Sequence, residues 1–109
     1  MSPDEMGFDR FVFPPELVAF MTGKAGVRKG FKVAEFVTLW GIVSDELGRE
    51  PTRDEFIARW DESVPTWYRR MEHLHAVWPD DRSPERVWQW QRGQLLERAV
   101  RQSRRAASA

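Results

Sequence analysis

The sequence contains no cysteine, which excludes a disulfide framework and any thiolate metal site. It has two histidines, His73 and His75. Residues two apart on a helix do not share a face, so they form a poor metal pair. No apolar run approaches the roughly 20 residues that a membrane span needs. The N-terminal stretch carries Asp4, Glu5 and Asp9 and lacks the basic-then-apolar order of a signal peptide. These absences predict a soluble, cytoplasmic protein. The patterns HExxH, Gly-x-Ser-x-Gly and GxxxxGK[ST] are also missing. Glu72 beside His73 reads as a solvated helix surface rather than a catalytic dyad, so no enzyme activity, metal or cofactor is expected. Formal net charge is zero. A generally basic nucleic-acid binder is thereby excluded, and any surface for phosphate must be a local patch.

With 109 residues, the chain is expected to form one domain over 1–109. At this length about two-thirds of the unfolded surface can be buried, enough for a core. Pro14, Pro15 and Glu16 open a short helix that runs through Met21 and stops at Gly23. Residues 23–32, GKAGVRKGFK, read as a connector holding Lys24, Arg28, Lys29 and Lys32 with no acid. It is either a phosphate-contacting loop or a solvated turn. Val33, Phe36, Trp40, Val43 and Leu47 then recur at steps of three and four, which predicts a helix over 33–47 ending at Gly48. Gly41 inside it costs about 1 kcal/mol relative to Ala, and the expected reason is close approach of another helix.

Residues 51–78 organise the rest. Pro51 and Thr52 open a short helix bearing Phe56, Ile57 and Trp60. The chain breaks at Asp61-Glu62-Ser63. Ser63 then caps a longer helix, with the Thr66 N–H as its usable donor because Pro65 has none. Trp67, Met71, Leu74 and Trp78 form one face of that helix. Pro65, Arg69, Glu72 and Ala76 form the opposite face, flanked by Tyr68 and His73. Trp40, Phe56, Trp60, Trp67, Met71 and Leu74 are the expected core. The neighbouring segment 45–62 holds seven acids and three arginines, a local charge of −4, which repels phosphate unless the acids point elsewhere.

Two helices joined by three residues, the second amphipathic, suit a helix-turn-helix. The run from Thr52 to Met71, through Ser63, Thr66, Trp67 and Arg69, resembles the helix-turn-helix of bacterial and phage DNA-binding proteins. It differs in having Ile57 where that family has a small residue, Asp61 at the turn where it has Gly, and Glu62 where it has an apolar residue. The resemblance implies an all-α fold of four to five helices around a helix-turn-helix at 51–78. No alternating strand pattern follows, so no wing is expected. It further implies sequence-specific binding of double-stranded DNA by a small transcriptional regulator, with the second helix in the major groove. Val64, Pro65, Tyr68 and Arg69 would meet base edges. Thr52, Arg53, Thr66, Arg70 and His73 would meet phosphates.

An alternative stays open. Zero net charge, the acidic segment and many aromatic residues also suit a protein-interaction module, such as a small phage- or plasmid-like protein that binds a host protein on the same scaffold. Beyond the turn at Pro79, Ser83 and Pro84 start a basic helix over 83–105, with a frayed end at RRAASA. From Arg82 onward there are seven Arg and two Glu. Trp88, Leu95 and Ala99 form one line that Arg92 breaks, which argues against a long coiled coil. That helix either folds back onto the domain or pairs with its copy in a homodimer.

Overall fold

The computed structural model describes residues 11–23, 26–80 and 83–108. Among them are five α-helices and no strand: α1 (Pro15–Met21), α2 (Gly26–Leu47), α3 (Arg53–Trp60), α4 (Val64–Val77) and α5 (Pro84–Ser108). The all-α expectation holds. α2 is the hub, and each of the other four helices packs against it. Its sequence explains why. Val33, Ala34, Phe36, Val37, Thr38, Leu39, Trp40 and Val43 are all buried, so the apolar surface runs nearly all the way round rather than along one stripe. The buried Thr38 hydroxyl is satisfied by donating to the Ala34 carbonyl at 2.8 Å.

The expected connector at 23–32 is corrected. Its last seven residues, from Gly26, are already helix. Lys24 lies outside the described residues. Two of the glycines that read as loop punctuation are helix–helix contacts instead. A Cβ at Gly26 would collide with the Phe20 carbonyl, and one at Gly30 with the Met21 side chain. Their bareness lets α1 lie directly on α2. The helix ends as expected, at Gly48 with φ of 69°, a left-handed conformation that favours glycine.

Of the six expected core residues, Trp40, Phe56 and Leu74 are buried. Trp60, Trp67 and Met71 pack against that core while keeping some exposure. At its centre three rings meet edge-on, one from each of three helices. Phe36 of α2, Phe56 of α3 and Trp67 of α4 have centroids 5.5, 5.4 and 5.3 Å apart, a geometry that gains beyond burial alone.

α5 folds back with its first half only. Val87 and Gln91 are buried. The Gln91 amide pairs with the backbone of Val12 in both directions, accepting from its N–H at 2.8 Å and donating to its carbonyl. The helix continues to Ser108, beyond the expected frayed stop. Ala106 and Ala107 are strong helix formers, and no Gly or Pro lies between Gly93 and them.

Candidate nucleic-acid interface

Each helix of the α3–α4 unit is capped at its start by a side chain of its own. Thr52 caps α3: its hydroxyl accepts from the Glu55 N–H at 3.2 Å, while the Glu55 carboxylate accepts from the Thr52 N–H at 2.9 Å. Arg49 holds the same carboxylate through two contacts. α3 stops at Asp61, which takes the left-handed conformation (φ 51°, ψ 49°), and the Glu62 N–H then reaches back to the Ile57 carbonyl at 3.1 Å. Asp thus adopts the conformation that glycine adopts most readily. Ser63 caps α4 by accepting from the Thr66 N–H at 3.3 Å, and the two hydroxyls lie 2.9 Å apart.

Val64, Pro65, Tyr68 and Arg69 share the open face of α4, and all four are exposed, Tyr68 to 57%. The Tyr68 hydroxyl accepts from Arg53 at 2.8 Å, which ties the start of α3 to the middle of α4. Arg53 also contacts Asp54 at 3.3 Å. Thr52 is exposed, but its hydroxyl serves the cap. Thr66 is half-buried against Ser63.

Arg70 is not on this face, which corrects the expectation of a phosphate contact there. Its side chain is only 15% exposed. It donates to both oxygens of Glu62, at 3.0 and 2.7 Å, and to Glu35 of α2 at 3.2 Å. Burial opposes its charge, but Glu62 and then Glu35 outweigh that and raise its pKa further. The Glu62 carboxylate selects this direction. Arg70 braces the turn and α4 against α2.

Besides Asp54, four acids of segment 45–62 are paired within the fold, two of them by Arg70 and Arg92 from outside the segment, which brings its charge of −4 to −2. Glu46 pairs with Arg59 at 2.9 Å, Glu55 with Arg49, Glu62 with Arg70, and Asp45 lies 3.6 Å from Arg92. By contrast, Arg28, Lys29, Lys32 and Arg69 are exposed and have no acidic partner among the described residues. Three of them, Lys29, Lys32 and Arg69, act on His73, which is half-buried on α4. Burial lowers its pKa first, and the positive charges of Lys32, Lys29 and Arg69 lower it further against an opposing pull from Glu72. The positive charges of Lys29 and Lys32 on α2 and of Arg69 on α4 thus all act on one imidazole.

Lys29 and Lys32 are the residues that sequence reasoning failed to join to this face. They read as part of a connector, although their spacing of three already fits one side of a helix. No group of three His, Cys, Asp or Glu among the described residues could hold a metal. No helix among them is long and apolar enough to cross a membrane. Comparison with protein-family models, with curated proteins and with solved structures gave no match to this chain.

Proposed function

We propose that this chain binds double-stranded DNA sequence-specifically, as a small transcriptional regulator, with α4 in the major groove. The observation that carries the reading is the exposure of Lys29 and Lys32 on α2, which packs against α4, and of Arg69 on the open face of α4, all three without an acidic partner among the described residues. A neutral chain needs such a local patch to hold phosphate. In this reading Val64, Pro65 and Tyr68 meet base edges, and Arg69 makes the bidentate contact to guanine. Arg53 and Thr52 at the start of α3, His73 on α4, and Lys29 and Lys32 on α2 meet the backbone on either side. Arg70 serves the fold and takes no part.

A selection from a random double-stranded pool, followed by titration of the best site at two salt concentrations, tests this. A recurrent site bound more tightly than scrambled duplex, with affinity falling as salt rises, is the expected result. Equal binding of all duplexes, or none, would overturn it.

One observation favours the protein-interaction reading. Val18 of α1 and Val27 and Phe31 of α2 are large apolar side chains about half exposed to solvent. Recovery from a cell lysate with and without nuclease separates the two. Nuclease-sensitive capture supports DNA, and a stable protein band supports the interaction module.

A further inference from the structure

The start of α4 has almost nothing polar left to offer a base. Val64 and Pro65 are exposed, Val64 to 42%, and neither side chain donates or accepts a hydrogen bond. The Ser63 hydroxyl accepts from the Thr66 N–H at 3.3 Å, and the Ser63 and Thr66 hydroxyls pair with each other at 2.9 Å. Of the first three backbone positions of the helix, Pro65 has no N–H and that of Thr66 is taken by the cap, which leaves the one on Val64. One turn on, Tyr68 stands on the same line as Val64, with its hydroxyl held by Arg53 at 2.8 Å. Its exposed ring extends the apolar surface. Arg69, one turn beyond Pro65, is the first charged side chain of α4.

We propose, resting on the DNA reading, that Val64 and Pro65 read the C5 methyl group of a pyrimidine, thymine or 5-methylcytosine, close to the guanine that Arg69 reads. In the major groove every base pair exposes hydrogen-bonding groups, and the C5 methyl is the apolar feature among them. Val64 and Pro65 laid over a polar group, such as the amino group of cytosine or adenine, would strip its water and leave it unpaired, which is unfavourable. Laid over a methyl they bury apolar surface, which is favourable. The same two side chains thus favour a methylated pyrimidine and disfavour the bases that need a polar partner.

Spacing sets the reach. Pro65 and Arg69 lie about 6 Å apart along the helix axis, against roughly 3.4 Å for each base step. The methyl therefore falls within about two base pairs of the guanine. Pro65 also suits a helix start whatever the helix binds, so Val64 is the position to vary.

The test uses the full chain and the best duplex obtained by selection. Replacing its thymines singly by deoxyuridine removes a methyl and keeps every hydrogen-bonding group. At a position within about two base pairs of the guanine whose identity Arg69→Ala relaxes, affinity should fall about three- to tenfold. With cytosine placed at that position, 5-methylation should raise affinity by a similar factor; a gain confined to thymine would assign the contact to thymine alone. Val64→Ser, whose melt should stay unchanged because the site is exposed, should bind the thymine and deoxyuridine duplexes alike. Deoxyuridine tolerated at every position of a duplex that is still selected would overturn the proposal and leave the DNA reading standing. A thymine preference that survives Val64→Ser would overturn it too, because the preference then comes from duplex shape or another residue. Selection that returns no recurrent site would remove the DNA reading itself, and the proposal with it.

Discussion

The indole of Trp88 occupies the space that a side chain at position 41 would need: a Cβ on Gly41 would lie 2.5 Å from ring atoms Cδ2 and Cε3. This contact docks the first half of α5 on α2. It also sets two effects of opposite sign against each other. On helix propensity alone, Gly41→Ala should stabilise α2 by about 1 kcal/mol. The collision with a held ring should cost roughly 1–3 kcal/mol. We expect the collision to win and the melting temperature to fall. In a Trp88→Ala background the same substitution should become neutral or stabilising. A thermal melt of the four proteins checks the sign reversal, and a gain from Gly41→Ala in the native background would show the ring to be free to move.

Arg69 and Arg70 are neighbours with opposite expected phenotypes. Arg70 is held by Glu62 and Glu35, so Arg70→Ala leaves two carboxylates without their donor. These groups keep partial exposure, which moderates the loss to roughly 1–3 kcal/mol of stability. Arg69→Ala removes an exposed side chain and should leave the melt unchanged. In the DNA reading it should instead weaken specific binding by about 1–3 kcal/mol and relax one base position. Paired melts and titrations of both variants check the split. A destabilised Arg69→Ala protein would remove that residue from the interface.

Acid should loosen the start of α3 before the rest. The Glu55 carboxylate accepts from Arg49 first and then from the Thr52 N–H, and its pKa falls from the ordinary 4.5 to about 2. Its folded pKa lies below its unfolded one, so its stabilisation is complete above about 4.5 and is lost as pH falls toward 2. Glu46, held by Arg59, shifts in the same direction. Glu55→Gln should therefore melt lower at neutral pH and show a shallower decline across that acid window. Carboxyl titration by NMR, with melts at each pH, reads both. A Glu55 carboxyl that titrates at its ordinary value would dissolve the argument.

Much of this architecture was legible from residue chemistry. The cap at Ser63, the break at Asp61, the stop at Gly48 and the packing role of Gly41 follow from local rules that act within one turn of chain. What was not legible depends on distant partners. Gly26 and Gly30 read as a loop because their contacts, Phe20 and Met21, lie on another helix. Arg70 read as a surface cation because Glu35, its second partner, is 35 positions away in sequence. Lys29 and Lys32 were misplaced for the same reason, since only the packing of α2 on α4 lets their charges act on His73. The last residues, RRAASA, read as frayed although Ala106 and Ala107 extend the helix. Propensity would have shown this, but the last residues of a chain are commonly expected to be loose.

The cations acting on His73 make the last prediction. In the free protein, burial and then Lys32, Lys29 and Arg69 hold the His73 imidazole below its ordinary 6.5, with Glu72 pulling the other way. If α4 binds DNA, phosphates arriving beside these cations reverse part of that effect and raise the His73 pKa. Binding then takes up protons, so affinity should rise as pH falls from 8 through the ordinary histidine range. His73→Gln should abolish this pH dependence while keeping most of the affinity at high pH. Lys29→Ala with Lys32→Ala should reduce the slope of log affinity against log salt by about 2, because each phosphate contact releases roughly one counterion. The same double variant should raise the His73 pKa without any DNA, since two of the charges that depress it are gone. NMR titration of the imidazole and DNA titrations across pH and salt read these effects separately. A changed histidine pKa with an unchanged salt slope would leave α2 beside α4 but outside the DNA contact, and an unchanged pKa would remove Lys29 and Lys32 from the site altogether.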